Sequence, residues 1–458
     1  MAVSSAGCPA GLDLSDTINE SPRQASQQAG AIGLVSPLKT PAGGDWVLEL
    51  PHPIEDHNLS STQVGRLSGM RDLRGGAYHR IKELADRLDA FAEARGYEAV
   101  QTPVLEETEL FARKSGGELT GQLYSFVDPA GHSVSLRPEF TSSVIRHFVG
   151  EGDRIETPVR WQYGGPVFRY DGDGAYRQFH QMGAELIGLG GVEADAEVLG
   201  LAWDALAEAG VDGARIRLGH LGVLQQLLEP YELSEAARLF VFGGIQDLRA
   251  GKTDTATLAQ RAHEMGLMRD ARELAGLEDI GNLSGEAAIE LVQGVLAGPM
   301  SGNTGRRSGR EIVDRLISKW STMDRPESLT AALELVASLA AIEGEPDAAL
   351  TRARKAATEL GLNAEPLDKL EALCDALSDT GIDRSRMIVD LGLARGISYY
   401  TGVIFELSLD GAYLGGGGRY DGLVRALGGE DVPALGFAFA LDQLVDAVEG
   451  GPRPPKES

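Results

Sequence analysis

Residues 165–185 constrain this chain most. An apolar run, Pro166-Val167-Phe168, leads into the charged residues Arg169 and Asp171, and a tight acidic turn, Asp171-Gly172-Asp173-Gly174, follows. The chain then returns with Arg177, Phe179 and Gln181 alternating against Gln178, His180 and Met182. Run, short Gly turn and second run predict a β-hairpin. The period of two puts Arg177, Phe179 and Gln181 on one face. A cation, an aromatic plate and an amide on one side of a sheet can hold a planar, charged small molecule. The same pattern also fits an ordinary antiparallel hairpin with one wet face.

The 458 residues are enough for two or three domains with real cores. Lys and Arg number 42 against 68 Asp and Glu, a net charge of -26. That disfavours broad attachment to nucleic acid or an anionic membrane, although a local basic patch is compatible with it. Cys8 and Cys374 lie far apart and form no metal or redox motif, which fits a reducing cytoplasm. No apolar run approaches the roughly 18 residues of a membrane span. The N-terminus lacks the basic-then-apolar order of a signal peptide.

Residues 1–64 are rich in Ser, Gln, Ala, Gly and Pro, and read as a disordered or extended tail in which Trp46-Val47-Leu48 docks on something. Ile81, Leu84, Leu88 and Phe91 are spaced as on a helix over 78–95, with Gly96 as its C-terminal cap. Tyr97 to Gln101 alternates as a strand and Pro103 follows. Residues 124–128 and 133–137 flank a Pro-Ala-Gly-His turn as a second hairpin. It runs into Leu136-Arg137-Pro138-Glu139-Phe140-Thr141, where a helix to Val149 begins. Glu139 and Thr141 either cap that helix or hold an ammonium group, since a carboxylate and a hydroxyl suit both. Residues 192–209 read as a helix and 215–220 as a strand, with His220 structural at its end.

Ala and Leu dominate 230–380 with helical periods, as in Leu329, Leu333, Val336, Leu339 and in Leu367, Leu370, Cys374, Leu377. These stripes read as the core of a helical insertion that splits one sheet-based domain into 65–229 and 381–450, with 451–458 as a tail. The Gly-rich basic stretch 298–310 lacks the GK[ST] of a phosphate loop and reads as a mobile loop. Met387 to Leu391 and Val403 to Leu407 read as strands, the second of them central. Gly415 to Gly418 then allow a backbone or ligand to come close.

Five stretches together resemble, in order, the motifs of class II aminoacyl-tRNA synthetases in the histidyl form, over about 66–448. Helix, strand and Pro103 resemble motif 1, which in that family builds the dimer interface. Residues 165–185 resemble motif 2, although Asp171 stands for a Glu and Ala175 for the loop Arg. Leu136-Arg137-Pro138-Glu139 with Thr141 resembles the element that holds the α-amino group of histidine. Residues 393–402 resemble the histidine-specific motif LVRGLDYYTG, with Arg395, Tyr399 and Tyr400 matching and Ser398 replacing its Asp. In that motif the Arg serves amino-acid activation and the tyrosines line the imidazole pocket. Residues 434–444 resemble motif 3, whose Arg clamps the ATP triphosphate; here that position is Gln443, after Asp442. A neutral amide cannot supply a charge-assisted fork to phosphate.

The resemblance implies an α+β fold: a class II synthetase-like antiparallel sheet with flanking helices and a helical insertion. It implies a histidine site of Glu139, Thr141, Arg169, Gln181, Arg395, Tyr399 and Tyr400, with no catalytic residue, cofactor or metal. Weakened ATP motifs, and a chain ending at Ser458 with no room for an anticodon-binding domain, resemble the regulatory subunits of ATP phosphoribosyltransferase. Those act in the first step of histidine biosynthesis. The expected partners are a short-form catalytic subunit and histidine as feedback effector, within a cytoplasmic hetero-oligomer built on a homodimer, without tRNA or membrane. Two alternatives stay open: a truncated ligase that activates histidine or a related amino acid with ATP, and a binding scaffold with a vestigial pocket.

Overall fold

The computed structural model describes residues 64–113, 119, 121–170, 176–268, 324–393 and 399–449. The expectations for 46–48, for the turn 171–175, for 298–310, for Arg395 and for 451–458 lie outside the described residues, as does nearly all of 1–64.

The hairpin is the longest ladder of the main sheet. Strands β5 (Val159–Phe168) and β6 (Gln178–Ile187) pair antiparallel from Val159 opposite Ile187 to Phe168 opposite Gln178. Both reach further toward the core than the sequence reading placed them. The rest of the sheet is β1 (Glu98–Ala99), β7 (Arg215–His220), β8 (Glu343–Gly344), β9 (Met387–Asp390), β10 (Val403–Leu409), β11 (Ala412–Arg419) and β12 (Ala434–Ala440). Its order is β1-β5-β6-β12-β11-β10-β7-β9-β8. The sheet is mixed, because β1 runs parallel to β5 and β7 parallel to β9, while the other neighbours are antiparallel. A parallel neighbour needs a long crossover, and the helical region between β7 and β9 supplies one. Strand β10 lies inside the sheet between β11 and β7, as expected. The strand expected over 97–101 pairs only at Glu98 and Ala99.

A second sheet, β2 (Leu105–Glu107), β4 (Ser133–Leu136) and β3 (Ser125–Val127), holds the second hairpin. Strand β2 has no apolar alternation to announce it.

Helices flank the main sheet: α1 (Gly76–Glu93), α2 (Thr108–Ala112), α3 (Thr141–Glu151) and α4 (Val192–Ala209) in the first half. Ile81, Leu84 and Leu88 of α1 are buried, and Gly96 adopts the left-handed φ of 85° after the helix. Next come α5 (Leu221–Leu228), α6 (Glu235–Gly243), α7 (Ile245–Arg249), α8 (Thr255–Glu264), α9 (Pro326–Ala340), α10 (Pro346–Glu359) and α11 (Leu367–Asp379). The stripes of α9 and α11 are buried as their spacing predicts, and α11 packs on α4. Helices α12 (Gly422–Ala426) and α13 (Leu441–Glu449) complete the described chain. His220 caps α5, its Nδ1 accepting the Val223 N–H at 3.2 Å, and burial pushes its imidazole down to about 4.

Four charges tie α7 to the β7, β9 and β8 end of the sheet. Fully buried Asp390 accepts from Arg217 at 2.7 Å and Arg249 at 2.6 Å through Oδ2, and from the Gly392 N–H at 3.0 Å through Oδ1. Glu343 of β8 pairs with the same two arginines. Paired cations and a bound N–H are what make a buried carboxylate tolerable.

Candidate functional site: a hydroxyl-caged acid beside a latched one

Continuing the period of β6 from Gln181 carries the same face through Gly183 to Glu185, about 13 Å further along the strand. Glu185 is fully buried and accepts three hydroxyl hydrogens: from Thr141 at 2.7 Å, from Tyr163 at 2.9 Å, and from Tyr420. The donors come from the start of α3, from β5 and from the residue after β11. Burial pushes the Glu185 carboxyl up to about 7, against the pull of the three hydroxyls. Burial also raises Tyr163, Tyr399 and Tyr420 well above the usual phenol range, so all three remain neutral at physiological pH. The register explains a glycine: Gly436 of β12 lies opposite Glu185, and a Cβ there would collide with the carboxylate.

Of the expected residues, Thr141 donates to this acid and Tyr399 meets its donor Tyr420, while Gln181 and Arg169 lie toward the other end of the hairpin. Glu139 is buried, and both its oxygens accept the Ser142 N–H, at 3.2 and 3.1 Å. It therefore does take a helix-start donor, whereas Thr141 turns to Glu185. Burial raises the Glu139 carboxyl; the Ser142 hydrogen bonds and the Arg169 charge oppose this. Arg169 donates to the Pro138 carbonyl at 3.0 Å, with its guanidinium 5.3 Å from the Phe179 ring. Tyr399 and Tyr400 sit with ring centroids 5.1 Å apart, and Tyr399 meets Tyr420 edge-on at 5.5 Å. Gly418 makes room for Tyr400, since a Cβ there would come within 2.9 Å of the ring. Gln181 shares the Glu185 face, and its Oε1 is buried without a hydrogen-bond partner among the described residues.

The other end of this face is built differently. Strand β12 stops at Ala440, opposite Gln181, and the chain turns into α13. The carboxylate of Asp442 takes the place of the missing strand: its Oδ2 accepts the His180 N–H at 2.6 Å. Its Oδ1 contacts the Arg71 guanidinium, which lies 4.1 Å over the Tyr176 ring. Gln443 Oε1 is buried without a hydrogen-bond partner among the described residues. Burial, and then the Arg71 charge, lower the His180 imidazole.

Sequence reasoning did not single out Glu185, Tyr163, Tyr420 or Arg71 as site residues. The period of β6 points to Glu185, two steps of alternation beyond Gln181. Tyr420 lies in the Arg-Tyr-Asp-Gly-Leu stretch of 419–423, which is synthetase-like, and nothing local marks Tyr163 or Arg71. Two open hollows, about 350 Å³ beside Pro230 and Lys369 and about 290 Å³ beside Glu98 and Trp161, include none of these side chains. Among the described residues no group of three His, Cys, Asp or Glu is placed to hold a metal. No helix of the described residues is long and apolar enough to cross a membrane.

The family model for histidyl-tRNA synthetase matches residues 69–300 and 308–444. The chain belongs to the histidyl-tRNA synthetase family. It is 31% identical over 402 residues to the histidine–tRNA ligase of Thermococcus kodakarensis, covering 84% of this chain and 75% of that protein. The ligase of Methanocaldococcus jannaschii is also 31% identical, over 392 residues, 83% of this chain and 75% of that protein. Among solved structures, a histidine–tRNA ligase subunit from Alicyclobacillus acidocaldarius superposes with a TM-score of 0.54 at 27% identity, covering 85% of this chain and 98% of that one. An ATP phosphoribosyltransferase regulatory subunit/histidyl-tRNA synthetase from Bacillus halodurans gives 0.58 at 24% identity, covering 84% and 83%, a likeness of fold. The fold of this family member is thus the class II synthetase-like α+β architecture, with a mixed sheet rather than the purely antiparallel one expected.

Proposed function

We propose that this chain is a non-catalytic regulatory subunit that enables a short-form ATP phosphoribosyltransferase and carries feedback inhibition by histidine. One observation carries the reading: where the family motif has its triphosphate-binding Arg, Gln443 presents a neutral amide, and the acid beside it, Asp442, is engaged by Arg71. A polyphosphate has lost its fork there, while the amino-acid half keeps its acids, hydroxyls and rings.

Histidine is the effector, held by Glu139, Thr141, Arg169, Gln181, Arg395, Tyr399 and Tyr400, with Glu185 added to that set. The carboxylates suit its ammonium group, and the tyrosines with Glu185 suit a flat ring bearing N–H donors. No step of phosphoribosyl transfer belongs to this chain; the partner moves that group from phosphoribosyl pyrophosphate to ATP. Histidine acts by binding two states of the assembly with different affinity. The assembly is a cytoplasmic hetero-oligomer around a homodimer of this chain, and tRNA is not a ligand.

The likeness to curated histidine–tRNA ligases at 31% identity favours a second reading, a ligase that activates histidine with ATP. Histidine-dependent exchange of pyrophosphate into ATP separates the two. The regulatory reading expects no exchange above background, co-purification with a short-form catalytic subunit, and transferase activity that histidine suppresses only when this chain is present. Exchange at ordinary ligase rates overturns it.

A further inference from the structure

Strand β6 outruns its neighbour. From Gln181 inward it has β12 on one side and β5 on the other, but from Gln178 to His180 it pairs only with β5. A strand end with one edge open frays more readily than a strand interior. The His180 N–H would be such an open donor, and the Asp442 side chain fills the gap at 2.6 Å. That carboxylate is a swinging group on the first turn of α13, and something must hold it. Arg71 does so on its other oxygen.

Arg71 is itself fixed. Met70 closes a turn onto the Leu67 carbonyl at 3.2 Å, and the Gly69 carbonyl accepts the Arg177 N–H at 2.8 Å. The Arg71 guanidinium lies over Tyr176 and that of Arg177 lies 4.3 Å over Tyr170. Residues 67–71 are therefore stitched to the rim of the hairpin and, through one ion pair, to the start of α13. Adjacent to the His180 N–H in the chain is Gln181, whose Oε1 is buried without a hydrogen-bond partner among the described residues.

We propose that Arg71 is a positioning residue of the pocket: through Asp442 it holds the open end of β6 and so fixes the direction of the Gln181 amide. This rests on the histidine reading for its ligand, although not for its mechanics. The groups facing Asp442 are Arg71 on one oxygen and the His180 N–H on the other, with His180 Nδ1 at 3.9 Å. Removing Arg71 frees the carboxylate to rotate, and the N–H loses its acceptor part of the time.

The test uses the full chain with Arg71→Met, Arg71→Lys, Asp442→Ala and the double variant R71M/D442A. Amide exchange is followed by mass spectrometry on peptides covering 178–182 and 184–188, the second as an internal reference. R71M is expected to speed exchange at 178–182 by about tenfold and leave 184–188 unchanged. R71K keeps a cation and recovers most of the protection, and the double variant matches D442A alone because the two act as one unit. Unchanged exchange in R71M, equal acceleration of both peptides, or additive effects in the double variant overturn the proposal. Histidine titration of the same proteins supplies the second readout: about tenfold weaker binding for R71M and less than about threefold for R71K. Equal binding by wild type and R71M overturns the role in the pocket. Wild type that binds no histidine overturns the histidine reading instead, and the exchange data then decide the latch alone.

Discussion

Around Glu185 a buried acid meets neutral hydroxyls; around Asp442 an acid meets a guanidinium and a backbone N–H. The first arrangement leaves the acid poorly solvated, with its carboxyl near 7. The second arrangement has already spent its cation inside the protein. Two acids at opposite ends of one strand thus come to different uses.

The largest expected effect breaks the caged end. Glu185→Ala removes the acceptor of three buried hydroxyls and leaves a void, so unfolding in urea should show a loss of about 3–5 kcal/mol. Gln443→Ala at the other end should cost less than about 1 kcal/mol, because its amide oxygen has no hydrogen-bond partner to lose among the described residues. Equal costs would erase the contrast between the ends.

Acidity sharpens it next. The Glu185 carboxyl is near 7 in the fold against 4.5 for the free side chain, so the native state holds the proton more tightly. The stability this gives is fully present below about pH 4.5 and is lost as pH rises through 7, amounting to about 3 kcal/mol. Denaturant melts from pH 5 to 8 should show this slope in wild type and a flatter one in Glu185→Gln; parallel slopes would show that Glu185 is not its source. At the same end, Glu139→Ala should weaken histidine binding by tenfold or more, about 1.4 kcal/mol at least. Calorimetry showing unchanged affinity would remove Glu139 from the ligand set.

The smallest effect restores what the other end lacks. Gln443→Arg should tighten ATP by about threefold to tenfold in equilibrium binding, since a guanidinium next to phosphate contributes about 1 kcal/mol at a partly wet site. It should not by itself produce histidine-dependent pyrophosphate exchange, because the motif 2 loop position is Ala175 and Asp442 stays with Arg71. No gain in ATP affinity would show that charge at 443 is not what separates the halves.

The helices were the most legible part of the sequence. The stripes of α9 and α11 and the span of α4 are local repeats of 3.6 residues, and their residues are buried as read. The paired strands of the hairpin were legible for the same reason, through their period of two. Strand β1 was read too long, because alternation over 97–101 does not say how much of the stretch finds a partner. Strands β2 and β8 were not seen, since two or three residues carry no period. Of the site, Thr141, Tyr399 and Gln181 could be named from motif likeness, but Glu185, the acceptor of Thr141, could not be assigned its three donors.

The sequence by itself determined which faces are apolar and that position 443 carries no charge. These are properties of residue type and spacing, and they need no knowledge of distant neighbours. Only the tertiary structure decided that Thr141, Tyr163 and Tyr420 converge on one carboxylate, and that Arg71 reaches Asp442. Those partners lie from 22 residues to hundreds of residues apart along the chain, and a hydrogen bond needs its atoms within about 3 Å. Sheet order brings them that close, and no local pattern encodes it.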